Sequence, residues 1–165
     1  MAKAFAKFVT MLIIFVITCF AVVGVFAKSK INCMVVTFSN ATKVGNMGAT
    51  VARFISSKLS NSPSYTCVFD GKLSYDNLPA ALEKAQKRGT DILVAGVVTK
   101  SQRMGASATI TFDADVRFVS DGAIILDNTY SASGANMNKA LDKAASIFLM
   151  DMENNSSYIM EVISK

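Results

Sequence analysis

Three groups of side chains in this sequence could do chemistry: a cysteine pair, a glycine-rich loop and a row of carboxylates. Cys33 and Cys67 fall in two short apolar runs that read as strands one and two of a β-α-β unit. Such strands usually lie side by side. In an oxidising compartment the two thiols could close a loop of about 34 residues, stabilising by roughly 3–4 kcal/mol in the chain-entropy picture. The alternative is two small buried thiols whose Cα positions do not suit a bridge. The spacing is not Cys-x-x-Cys, so redox catalysis is not indicated. Gly45-Asn46-Met47-Gly48-Ala49-Thr50 follows a strand and opens a helix, where a phosphate loop would stand. It has no Gly-Lys-Ser/Thr, and Lys43 precedes the glycines, so turn and packing roles are the expectation. Asp113 and Asp115 alternate along one strand face beside threonines and Arg117, with Asp70 or Asp76 as possible neighbours. Paired carboxylates catalyse when their environments drive their pKa values apart; on a wet face they are ordinary surface charge.

The sequence has no histidine, which removes the commonest zinc ligand and the commonest general base at neutral pH. No Ser/His/Asp or Cys/His arrangement can form. Nine methionines are many for 165 residues, but most of them fit apolar stripes, as core fillers do. No metal or cofactor site is expected.

The elements that must position these groups follow from periodicity. Ile31–Phe38 is a β-branched apolar run, read as a buried strand. Met47, Val51, Phe54, Ile55 and Leu59 fall at helical spacing, predicting a helix over 46–59 that Asn61-Ser62-Pro63-Ser64 stops. A second strand is expected at Tyr65–Phe69, closed by an Asp70-Gly71 turn. Leu78, Ala81, Leu82 and Ala85 mark a second helix, capped by Asp76 or Asn77 and closed by Gly89. Asp91–Thr99 is apolar on both faces, as a central strand should be. Arg103-Met104-Gly105 then makes a tight connection. Ile110 to Phe118 alternates with polar residues at period two, giving a strand with one wet face. Ser120-Asp121-Gly122 turns the chain back along Ala123–Ala132. Met137 to Met152 forms a last amphipathic helix, and 156–165 has no clear assignment. The expected fold is α/β (α+β): a mixed sheet of about five strands in order β-α-β-α-β-β-β-α, with helices mainly on one face.

The first 27 residues are of another kind. Lys3 and Lys7 precede an uncharged run from Phe8 to Ala27. Val25-Phe26-Ala27 is a small-x-small pattern before Lys28, which suits signal-peptidase cleavage between Ala27 and Lys28. The run is also long enough to span a bilayer, so an uncleaved anchor is the alternative. Val16-Ile17-Thr18-Cys19 offers a weaker third reading as a lipobox. Each delivers residues 28–165, a single domain, across a membrane.

Net charge is +5; without Lys3 and Lys7 the exported part carries +3. Its basic residues are scattered, and the densest patch, Lys84, Lys87 and Arg88, reads as a solvated helix face. Nucleic acid is not an expected partner.

The order of elements, with several local signatures, resembles the N-terminal domain of TolB and the related CsgG-type and LpoB-type envelope lipoprotein domains. The signatures are Val35-Val36 with Phe38 and Asn40 after the first strand, and Gly48 opening the first helix. Ala85, Gly89 and Asp91 lead into Ile92-Leu93-Val94-Ala95-Gly96, and Val116-Arg117-Phe118-Val119 precedes Asp121-Gly122. Ala144-Ala145 sits in the final helix, so the resemblance spans about residues 31–152. The connection near Met104-Gly105 is too short for the pore-forming hairpins of a CsgG-type subunit, and a convincing lipobox is lacking.

The resemblance implies a non-enzymatic, periplasm-facing envelope protein that binds proteins or forms a homo-oligomer. It would serve a secretion, appendage or cell-wall complex, with membrane contact through the N-terminal segment if that stays attached. The alternative is an inner-membrane-anchored form facing the same way. A different class of function, a small-ligand or enzymatic module, would use the loop Asn40–Gly48 after the first strand.

Overall fold

The computed structural model of the chain describes residues 30–165. The leader, its Ala27/Lys28 cleavage pair and Cys19 lie outside the described residues. Among the described residues no helix is long and apolar enough to cross a membrane.

The elements are β1 (Ile31–Thr37), β2 (Ser39–Asn40), α1 (Met47–Ser60), β3 (Tyr65–Ser74), α2 (Leu78–Lys87), β4 (Ile92–Met104), β5 (Ser107–Phe118), β6 (Ile124–Gly134) and α3 (Met137–Ile163). The sheet order is β3-β1-β4-β5-β6, with the short β2 continuing β1 alongside β4. β3, β1 and β4 run parallel, while β5 and β6 are added antiparallel through two hairpins.

Handedness explains where the helices sit. From β1 the chain steps outward to β3, then crosses back past β1 to reach β4. Right-handed crossovers in opposite directions place their helices on opposite faces. α1 accordingly joins α3 on one face, over Ile31, Cys33, Val35, Ile92 and Val94. α2 covers Met34, Val36, Leu93 and Ala95 on the other. Two of the three helices share a face, as expected; α2 is the exception. Under α3 the core is aromatic, with Phe112 edge-on to Phe38 at 5.8 Å and Tyr130 edge-on to Phe148 at 5.3 Å.

Three element boundaries differ from the sequence reading. The second strand does not end at Asp70-Gly71 but continues to Ser74, across a register shift between Val36 and Thr37. β4 overruns Thr99 as far as Met104 and, with β5, builds a projecting hairpin turned at Gly105, whose φ is +57°. α3 continues through Asn154-Asn155-Ser156-Ser157 to Ile163. Met152, Ser156 and Ile159 are all buried at helical spacing, so the apolar stripe bridges the polar run.

Candidate interaction surface

α2 covers the parallel half of the sheet only. Beyond it, the same face of β5 and β6 is covered by no element among the described residues. The period-two pattern of β5 sends Ile110, Phe112, Ala114 and Val116 into the core and Thr109, Thr111 and Asp113 outward. In register opposite them stand Ser133, Ser131 and Thr129 of β6. The side chains pair across the strands. Thr109 and Ser133 hydroxyls are 2.7 Å apart, those of Thr111 and Ser131 2.9 Å, and Thr129 Oγ1 donates to Asp113 Oδ1 at 2.6 Å. Cross-strand pairs of this kind stabilise the hairpin and fix its register.

Asp115 departs from the expectation of ordinary surface charge. It is 7% exposed, and Arg117 clamps it with Nε at 2.9 Å and Nη2 at 2.7 Å while Nη1 donates to the Gly122 carbonyl. Because residues i and i+2 share a strand face, this ion pair ties the β5–β6 turn to the sheet. The carboxylate raises the affinity of the Arg117 guanidinium for its proton, chiefly through these hydrogen bonds. Asp113 and Asp115 are therefore engaged separately, one by a hydroxyl and one by a guanidinium.

Asp70, considered above as a possible neighbour of that pair, stands three strands away on β3. Its side chain is 5% exposed and accepts from Lys84 Nζ at 2.6 Å, with Arg88 Nη2 at 3.5 Å. The Lys84 hydrogen bond comes first among the contacts holding its pKa below the ordinary value. The cations of α2 stay at the surface, with Lys84 half-buried and Arg88 exposed, while both reach over Asp70; Lys87 pairs with Glu83 in solvent. Asp76 instead accepts from the Ser39 hydroxyl at 2.5 Å.

Cys33 and Cys67 are register partners on β1 and β3, with sulfurs 3.5 Å apart and both thiols free. Burial pushes the Cys33 thiol well above its ordinary pKa.

The loop Asn40–Gly48 is closed upon itself. Asn40 Nδ2 donates to the Val44 carbonyl at 2.6 Å, and its Oδ1 accepts from the Thr42 amide and hydroxyl. A Cβ on Gly48 would stand 1.9 Å from the Phe38 carbonyl oxygen, so the glycine is there for packing. β2 zips the would-be crevice to β4, and the Ala41 amide continues that pairing to Val98. Among the described residues, clefts of about 370 and 330 Å³ lie toward the opposite ends of the parallel strands, around Thr90.

The open half-sheet was visible in the sequence as a wet face; the mutual satisfaction of its hydroxyls was not. The signal available was the matching run of threonines and serines on β5 and β6, legible only once the hairpin register is known.

No protein-family model matches the chain, and no curated protein matches it. Solved structures do. A point variant of the PelC dodecamer from Paraburkholderia phytofirmans aligns with a TM-score of 0.63 at 15% identity, covering 73% of this chain and 86% of that one. Lipoprotein GNA1162 from Neisseria meningitidis aligns at 0.52 and 14%, covering 75% and 99%. The chain has the fold of PelC and GNA1162. Hypothetical protein CT253 from Chlamydia trachomatis shares it too, at 0.57 and 12% over 79% and 98%. TolB from Acinetobacter baumannii and the Escherichia coli LpoB C-terminal domain align at 0.49 and 0.48, too distantly to add weight. The CsgG-type resemblance has no support among these structures.

Proposed function

We propose that this chain is a non-enzymatic accessory protein of the cell envelope. It faces the periplasm, binds other proteins through the open β5–β6 face, and assembles with copies of itself. In that role it serves a secretion, appendage or cell-wall complex. The observation that carries the reading is the uncovered half-sheet, whose polar side chains are ordered by one another and presented on a rigid element. A preorganised polar surface binds without the entropic cost of ordering loops. Among its carboxylates, Asp113 and Asp115 are each held by a partner, an arrangement suited to recognition rather than proton transfer. The leader-like first 27 residues support export. The fold shared with a lipoprotein and with a dodecamer supports an envelope setting and self-assembly.

The test is a photo-reactive amino acid at Ser131 of the full chain in intact cells, with Lys87 on α2 as the control position. Crosslinks to an envelope protein from Ser131 and not from Lys87 are expected. Equal yields from both positions would remove the half-sheet as the binding face. A reporter on the carboxy terminus that worked only in the cytosol would remove the envelope setting, and turnover of a substrate by the purified protein would overturn the non-enzymatic role.

A further inference from the structure

The outward side of α3 carries an apolar stripe that no element among the described residues covers. Ile147, Met150 and Tyr158 are 41%, 58% and 53% exposed, and with Asn154 they fall on one side of the helix at 3–4-residue spacing. Lys143 precedes the stripe one turn toward the N-terminus and Glu161 follows it toward the C-terminus; both are exposed. Large exposed apolar side chains in a row mark an interaction site more often than chance placement does.

The stripe has a symmetry that identifies its occupant. Lys143 and Glu161 lie equally far from residue 152, on either side of it, and so do Met150 and Asn154. Ile147 and Ser157 are a third such pair, with Tyr158 beside Ser157. Two α3 helices laid antiparallel about a twofold axis at that level bring each Lys143 against Glu161 of the other copy. The same operation sets Ile147 of each copy beside Tyr158 of the other, flanking Met150–Asn154 pairs at the centre. An isologous contact requires this self-complementarity: residue i meets j, and j meets i.

The charges also stand against the helix's own dipole. Cations favour a helix C-terminus and anions an N-terminus, yet Lys139 sits in the first turn, with Lys143 one turn further in, and Glu161 in the last. Within one chain that placement is unfavourable, whereas across an antiparallel pair it is attractive. Both ends already have a partner within the chain: Glu161 accepts from Lys165 at 3.0 Å and Lys143 Nζ donates to the Ser133 carbonyl at 3.2 Å, but the carboxylate has room for a second donor and the ammonium has two further N–H groups. The next pair outward, Lys139 and Lys165, is of like charge; Lys165 lies past the helix end and folds back on Glu161, which sets the outer limit of the contact.

We infer that two copies of this chain pair through α3 in an antiparallel, twofold contact centred near Met152, with Ile147, Met150 and Tyr158 at its middle and Lys143–Glu161 ion pairs at its ends. The stretch from Lys143 to Glu161 gives a ridge of about 28 Å. This pairing rests on the self-assembly part of the proposed function and supplies its geometry.

The experiment is sedimentation velocity on the full chain, as the cell processes it, over a concentration series up to about 100 µM. Lys143→Glu and Glu161→Lys are each expected to weaken dimerisation at least about tenfold, because twofold symmetry repeats each reversal at both ends. The double variant restores the charge match and is expected to return to within about threefold of the parent. Met150→Glu is expected to leave monomer throughout. All three positions are exposed, and unchanged circular dichroism and thermal midpoint check that folding is intact. A chain that self-associates but ignores these substitutions, or a double variant no better than the singles, overturns the helix pairing and leaves self-assembly standing. A chain that stays monomeric at the highest concentration overturns both.

Discussion

Between β3 and β4 the sheet is roofed on both sides, with Val35 and Met34 fully buried on opposite faces of β1. Between β5 and β6 it is roofed on one, and the other carries hydroxyls that pair with one another. The parallel half reads in sequence as continuous apolar runs, the antiparallel half as strict alternation. Stability is concentrated where water is excluded twice, and recognition is available where it is excluded once. The contrast says where substitutions will hurt folding and where they will spare it.

The largest effect is expected at Leu93, fully buried beneath α2 in the parallel half. Leu93→Ala removes buried carbon and leaves a cavity, at a cost of about 3–4 kcal/mol. Urea unfolding followed by circular dichroism measures it. A loss below about 1 kcal/mol would mean that the second core cluster contributes little and that the two halves differ less than their burial suggests.

Cys33 and Cys67 sharpen the same contrast, since both belong to the parallel half. We propose that they are bridged in protein recovered from an oxidising compartment. Intact-mass analysis would then show the loss of two hydrogens, and reduction would lower stability by at most roughly 3–4 kcal/mol. Two alkylatable thiols in freshly exported protein would show that the buried pair stays reduced despite its proximity.

Asp70 comes next. Its pKa is depressed in the folded state, so the stability it contributes is fully present above its unfolded value, about 3.9, and is lost as pH falls through the lower folded value. Asp70→Asn should cost about 1–2 kcal/mol at neutral pH, moderated by the partial exposure of Lys84 and Arg88. The difference between parent and variant should shrink as pH is lowered from about 4 toward 2. A pH-independent difference would assign the cost to packing rather than charge.

Much of this was legible in the sequence. The order of elements, the central strand and the wet face of β5 follow from hydrophobic period alone, because burial on one face or two leaves a different imprint. Asp70-Gly71 is a turn signal in sequence, which ends the expected second strand too early. Here Asp70 is held in the strand by Lys84 and Arg88, two cations from a distant segment. Asn154-Asn155-Ser156-Ser157 hides the continuation of the last helix, because its low helix propensity is outweighed by burial of Met152 and Ile159 against the core. The burial of Asp115 escapes the period-two pattern for a related reason: a residue on an open face can still be covered by its neighbour two positions on, here Arg117.

The smallest effect separates folding from binding most cleanly. Thr111 lies at mid-strand on the open face, its hydroxyl 2.9 Å from that of Ser131. Thr111→Val keeps the β-branched shape and removes one partner of a half-exposed hydrogen bond, which water can replace on the Ser131 side. The expected cost to stability is below about 1 kcal/mol. The same change places a methyl group in the middle of an otherwise polar surface, and capture of an envelope partner by the photo-reactive residue at Ser131 should fall severalfold while the thermal midpoint hardly moves. If crosslinking survives intact, the hydroxyl ladder is a device for fixing strand register and the partner reads another part of the molecule. If stability falls as far as it does for Leu93→Ala, the open half is as important to the fold as the roofed one.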